Sequence, residues 1–225
     1  ERVDLLTDKI QKNRMDIKWW CFSRVDTIMK NASLIKKMAS AGLRMVFLGL
    51  ESADPQSLKD YGKKISTELS EKAVKILHSY GIKVLGSFIL GNIHDTHETI
   101  NKTIEYAKKL NIDIVQFSAL TPFPGTKFFQ KMIKENRIFT WDWKLFDGAH
   151  SVIIGDYLKP KEIQKKILSA YIDFYRQGKQ LVNVYSFVRK FVNTHFPLLS
   201  AYKEFYYLRK RLPYISNKSK HHQTA

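Results

Sequence analysis

A chain of 225 residues, 44% hydrophobic and 13% aromatic, can bury a sizeable core and is not a disordered tail; no run of about 18 apolar residues marks a membrane span. Its single cysteine, Cys21, excludes an internal disulfide, a thiolate zinc site, or a cluster held by three or four cysteines of this chain, and reads as a small buried hydrophobe in the apolar run 17–22. Of the net charge of +17, residues 159–225 carry 14 basic against 3 acidic side chains, or +11, leaving +6 elsewhere; this field favours an anionic partner.

Val3, Leu5, Leu6 and Ile10 predict a helix over 1–14, and the run 17–22 then predicts a buried strand. Leu34, Ile35, Met38 and Ala39 form a helical stripe that ends at Gly42, a C-terminal cap, and a strand follows over 45–50. The pattern repeats with a helix over 67–80 ending at Gly81, a strand over 82–90, a helix over 96–110 and a strand over 112–120. Alternation with short connections selects an α/β fold with a parallel sheet and right-handed crossovers, barrel-like or doubly wound; an incomplete barrel is preferred. The opening helix has no strand ahead of it, so the front of the barrel is expected to be missing, and no export leader follows Glu1.

Beyond Trp141, Trp143 and Phe146 comes a short apolar run at 152–154, and Pro160 introduces a series of helices. Ile163, Ile167, Ala170, Tyr171 and Phe174 share one face, and two further apolar faces start at Leu181 and Leu199, separated by Gly178 and Pro197. Residues 216–225 read as a disordered polar tail. The expected division is a barrel portion over 1–155, a basic aromatic helical extension over 156–215, and the tail.

In either parallel architecture ligands gather at the C-terminal ends of the strands. Four motifs stand there in order: Ser-Arg-Val-Asp at 23–26, Leu-Gly-Leu-Glu-Ser at 48–52, Gly-Ser-Phe-Ile-Leu-Gly at 86–91, and Leu-Thr-Pro-Phe-Pro-Gly-Thr at 120–126. Together they resemble the third to sixth strands of the radical S-adenosylmethionine (SAM) core, in particular the group of the anaerobic magnesium-protoporphyrin ester cyclase and the cobalamin-binding radical SAM methyltransferases. The resemblance covers residues 1 to about 155 and is most specific over 49–63 and 121–126. It implies an enzyme in which SAM at a 4Fe-4S cluster is reductively cleaved to start oxidoreductase or methyltransferase chemistry.

SAM offers an amino group, a carboxylate, two ribose hydroxyls and an adenine. The resemblance makes Lys63, with Arg24, the candidate cation for the carboxylate, while Glu51 can accept from the amino group or ribose and Ser52 can do either. Gly86 and Gly91 would admit backbone close to the nucleoside, Phe88 and Ile89 would wall the adenine, and Thr121 with the rigid Pro122 and Pro124 would face its edge. Each has a plainer reading: an Arg24–Asp26 surface pair, a solvated Lys63–Lys64 loop, a bulge at Gly86 and a turn at Gly91. A carboxylate ending an apolar parallel strand needs a polar partner, so Glu51 is read as functional. Asp95 and Thr96 read as a helix start. His94 and His97 share a helical face without a third metal ligand, His78 and His195 read as satisfied packing residues, and His150 has the better claim to a pocket.

The family's three-cysteine loop and its second-strand motif are absent here. They are expected upstream, with a cobalamin domain further upstream still, so the 225 residues alone are not expected to cleave SAM. Expected partners are a small-molecule or lipid-like substrate and a reductant such as flavodoxin or ferredoxin. The C-terminal helices either cover the open barrel or, with aromatics interleaved among Arg189, Lys190, Arg209, Lys210 and Arg211, dock at a membrane surface. No reading motif accompanies the charge, so nucleic acid is disfavoured. The protein is expected to be cytoplasmic, or peripheral at a membrane. The alternative class is a non-catalytic remnant or basic scaffold acting through residues 159–212.

Overall fold

Four apolar runs become four parallel strands, β1 (Trp19–Arg24), β2 (Leu43–Glu51), β3 (Lys83–Leu90) and β4 (Ile114–Ala119), hydrogen-bonded in chain order. The structure is a computed structural model that describes residues 1–176. The expectations for Gly178, Leu181, His195, Pro197, Leu199, the basic aromatic stretch beyond them and the tail 216–225 lie outside these residues.

Helix α1 (Arg2–Lys12) precedes the sheet; α2 (Val25–Lys30) and α3 (Ala32–Ser40) connect β1 to β2, α4 (Pro55–Asp60) and α5 (Thr67–Ser79) connect β2 to β3, and α6 (His97–Lys109) connects β3 to β4. After β4 come α7 (Lys127–Lys134), a 3-10 turn at Trp143–Leu145 and α8 (Pro160–Arg176). Right-handed crossovers that all advance in one direction place their helices on one face of the sheet. A doubly wound sheet needs a reversal of strand order, and none occurs here, so the winding is of the barrel type.

Register separates the two faces. Phe22, Phe47, Leu85 and Ile114 lie in one row across the strands, and Arg24, Gly49, Ser87 and Gln116 in the next row toward the C-terminal ends. On the opposite face Leu48, Leu50, Val84, Phe88, Val115 and Phe117 are buried beneath the helices. The first face is more open, with Phe22 70% exposed. Cys21 is only partly buried, and burial raises its thiol pKa.

Local chemistry explains the helix ends. Gly42 follows α3 at φ 94°, and a Cβ there would stand 2.0 Å from the Ile17 carbonyl oxygen, so the turn into β2 admits only glycine. Thr96 caps α6 in a reciprocal box with Thr99, and Asp54 caps α4 ahead of Pro55. At the far end of β3 the Asp113 carboxylate accepts from the Val84 N–H (2.8 Å) and meets His78 (2.9 Å) and Lys83 (2.7 Å). On α1 only Thr7 and Ile10 are buried, whereas Val3, Leu5 and Leu6 of its expected stripe are exposed.

After β4, Ile93, Met132, Phe146, Val152 and Ile153 form a small core, and an isolated antiparallel bridge joins Ile138 to Ile153. Trp141 and Trp143 lie at its rim, more than half exposed. Helix α8 packs back onto the sheet with Ile163, Ile167, Ala170 and Phe174 buried, and Ile163 occupies the space beside Gly91. Its two tyrosines replace a missing strand: the Tyr171 hydroxyl accepts from the Phe117 N–H (3.0 Å) and the Tyr175 hydroxyl from the Val115 N–H (3.3 Å). Each also reaches the carbonyl of the same residue, at 3.2 and 3.4 Å. Among the described residues no helix is long and apolar enough to cross a membrane.

Replacing both tyrosines by phenylalanine strands backbone groups of β4 inside the protein. Urea unfolding of the Tyr171→Phe/Tyr175→Phe variant is expected to show a loss of about 1–3 kcal/mol per site. An unchanged midpoint would mean that these hydroxyls do not hold the edge.

Candidate functional site

The C-terminal end of β2 is the most unusual corner of the sheet. Its register shifts between Gly49 and Glu51, and Glu51 takes φ 63°, a left-handed conformation that costs a residue with a side chain about 1–2 kcal/mol. Its carboxylate folds back over Gly49 and meets the Lys63 ammonium at 2.6 Å. Both groups are largely covered, with Glu51 only 8% exposed as a residue. Lys63 reaches this point because α4 ends at Tyr61 and Gly62 and the chain turns back, the Lys63 N–H bonding the Leu58 carbonyl at 2.9 Å.

Arg24 stands beside Gly49 in register, with its guanidinium engaged in a two-point pair with Asp26 at 3.0 and 3.1 Å. That hydrogen bond is the main reason its pKa is raised, and attraction to Glu51 adds to it. The surface ion pair is therefore formed, and Arg24 is still within electrostatic reach of the Glu51 corner. Ser52 turns the other way: its hydroxyl lies 3.2 Å from Thr103 of α6 and accepts the Asp54 N–H at 3.0 Å. It ties β2 to a helix.

The glycines and Phe88 also have packing roles. A Cβ on Gly86 would come within 2.6 Å of Ile112 and 2.7 Å of Leu50, and one on Gly91, at φ 85°, within 2.8 Å of Ile163. Phe88 is fully buried on the helix face, its ring 5.8 Å from Phe117 and 6.3 Å from Tyr106. The strand's alternation puts Ile89, not Phe88, on the open face, so the apolar wall assigned to both residues falls to Ile89. Thr121 and Pro122 are buried at the end of β4, where the Thr121 hydroxyl donates to the Ala119 carbonyl at 3.1 Å. Of the predicted residues, the structure joins Glu51 with Lys63 and sets Arg24 nearby; Ser52, Gly86, Phe88 and Gly91 are committed to packing.

Three neighbours were not visible in the sequence as parts of this corner. Gly49 lies beneath the carboxylate. Tyr61 has the one buried side-chain polar atom without a hydrogen-bond partner among the described residues, and burial, together with Asp95, Glu51, Asp60 and Asp54, pushes its phenol well above the usual range. It is therefore a neutral donor. Asp95 accepts the N–H groups of Gly91 and Asn92, each at 2.8 Å, and the Thr99 hydroxyl at 2.7 Å; burial nevertheless holds its pKa up. Asn92 in turn donates to Asp60 at 2.9 Å, which fixes the loop after β3 against α4. The histidines face separate carboxylates: His94 pairs with Asp156 at 2.6 Å, His97 stands 3.6 Å from Glu162, and His150 pairs with Asp147 at 2.9 Å.

The family model described as "Radical SAM superfamily" matches residues 3–138. The chain belongs to the radical SAM superfamily. Curated relatives include an uncharacterized methyltransferase, PH0819, of Pyrococcus horikoshii, 37% identical over 77% of this chain and 38% of its own length. Another is the bacteriochlorophyllide d C-8(2)-methyltransferase of Chlorobaculum tepidum, 28% identical over 86% of this chain and 42% of its own. The anaerobic magnesium-protoporphyrin IX monomethyl ester cyclase of Rubrivivax gelatinosus matches at 26% over 75% of this chain and 30% of its own. This radical SAM chain thus spans less than half the length of these relatives. Among solved structures, the cobalamin-dependent SAM radical enzyme OxsB, with aqua-cobalamin and SAM bound, superposes with a TM-score of 0.56 at 16% identity, covering 84% of this chain and 40% of that one. This likeness shows the shared fold.

The strain at residue 51 can be measured without a ligand. Glu51→Gly and Glu51→Ala both remove the ion pair with Lys63, but only glycine adopts φ 63° freely. Thermal or urea unfolding should place the glycine variant above the alanine variant by about 1 kcal/mol; equal stabilities would mean residue 51 is not strained.

Proposed function

We propose that the β2 corner grips SAM, and that this chain is part of a radical SAM enzyme of the methyltransferase type acting on a small or lipid-like molecule. The observation that carries the reading is Glu51: a strained, nearly buried carboxylate held against Lys63 at the C-terminal end of a parallel strand. Strain of this kind persists where the surrounding structure over-determines it, commonly at ligand sites. When bound at a reduced cluster, SAM supplies the family's radical-generating cleavage.

The residues present fit the SAM half of that chemistry. The Glu51 carboxylate can accept from a ribose hydroxyl or an ammonium group, while Lys63 and the more distant Arg24 offset its charge and attract a ligand carboxylate. Ile89, on the open face, supplies apolar surface, and Thr121 and Pro122 shape the rim at β4. The residues do not fit the cluster, because three thiolates are needed and Cys21 is the chain's single cysteine. We therefore assign the 4Fe-4S ligands to residues outside these 225.

Cobalamin, named in the OxsB structure, and a flavodoxin- or ferredoxin-like reductant belong to the same proposal. The barrel portion is assigned to residues 1–155 and the basic aromatic extension to 156–215, and a peripheral membrane contact is assigned to that extension.

Calorimetric titration with S-adenosylhomocysteine tests the site. Glu51→Ala and Lys63→Ala should each weaken binding by roughly tenfold or more while leaving the fold intact. Unchanged affinity in both would remove the assignment. For the whole protein, anaerobic purification from the full gene should yield iron and sulfide, and reduction should release 5′-deoxyadenosine; a bound cluster without that product would sink the radical reading.

A further inference from the structure

We infer that Gly49 is a positioning residue, whose missing side chain forms the seat that holds the Glu51 carboxylate against Lys63 on the open face of the sheet. This rests on the proposed SAM-binding role of that corner. A Cβ built on Gly49 would stand 2.5 Å from Glu51 Oε1, 3.4 Å from Glu51 Cδ and 3.7 Å from the Lys63 ammonium nitrogen. These are the three nearest atoms outside the flanking residues, so the ion pair occupies the volume that a side chain would take.

Backbone conformation does not explain this glycine. Gly42, Gly62, Gly81, Gly91, Gly125 and Gly148 all have positive φ, and Gly49 does not. It lies inside a strand, where glycine weakens the sheet through lost backbone entropy and lost packing. Nor is it a packing glycine like Gly86, whose missing Cβ makes room for Ile112 and Leu50 on the helix face. Gly49 shares the open-face row with Arg24, Ser87 and Gln116, so a side chain there would project toward the bound ligand's side and lift the carboxylate off the strand. Glu51 takes φ 63° at the register shift, and its side chain runs back over Gly49 to meet Lys63.

A merely structural glycine and a positioning glycine predict different variants. In Gly49→Ala the obstructed atoms are the mobile end of one glutamate, so the melting temperature should stay within a few degrees of the parent. S-adenosylhomocysteine affinity should fall roughly ten- to hundredfold. Shortening the acid in the same background, as Gly49→Ala/Glu51→Asp, removes one methylene and should bind more tightly than Gly49→Ala alone. The readouts are calorimetric affinity and thermal melting of the 225-residue chain. Parental affinity in Gly49→Ala would overturn the inference, as would a large melting loss or a double variant that binds no better than the single. If the parent itself bound no S-adenosylhomocysteine while Gly49→Ala melted normally, the SAM reading would fail instead.

Discussion

Three right-handed crossovers would scatter helices on both faces of a sheet if the strand order reversed; here each strand is laid beside its predecessor, always in the same direction. All the helical cover therefore accumulates on one side. Phe88, Phe117, Leu48 and Leu50 are sealed there, and the residues one step out of phase with them face the less covered side. The position of the candidate site follows from this constraint, since of the strand residues it is those in the phase of Gly49 and Ser87, or folded back over them as Glu51 is, that face the open side, joined there by loop residues such as Lys63.

Within that frame one corner carries an energetic burden. The register shift after Gly49 forces Glu51 into a left-handed conformation, and the Lys63 pair, largely withdrawn from water, compensates. Glycine or asparagine would take that conformation at lower cost. The neighbouring loop is held just as firmly, through Asp95 with its backbone donors and through Asn92 on Asp60, so the corner is preorganised rather than assembled on demand.

Much of this was legible in the sequence. The helices over 67–80 and 96–110 and the four strands showed themselves by period and by glycine punctuation, and the structure places them within a few residues of those bounds. Helices α2 and α4 did not, because six residues are too few to display a 3.6-residue period. Glu51 was readable because a charge at the end of an apolar strand needs a polar partner, whereas Lys63 was named through the family resemblance as a cation for a ligand carboxylate, and its pairing with Glu51 was not foreseen. Phe88 was misassigned because alternation cannot say which phase faces outward until the register is known, and the covered phase turned out to be even-numbered along β3. Tyr61 and Asn92 left no signal at all, since their roles come from loops brought together only in three dimensions. The packing of α8 on β4 was equally hidden: a stripe of apolar residues reveals an amphipathic helix without naming the surface it covers.

That last contact closes one margin of the sheet. Tyr171 and Tyr175 occupy the outward-facing peptide groups of Val115 and Phe117, so another strand cannot zip onto β4 without first displacing α8. Lateral addition, whether by a further stretch of polypeptide or by an aggregating neighbour, is thereby barred at this margin, and the tyrosines act as a selvedge that keeps it from fraying into unwanted β-structure.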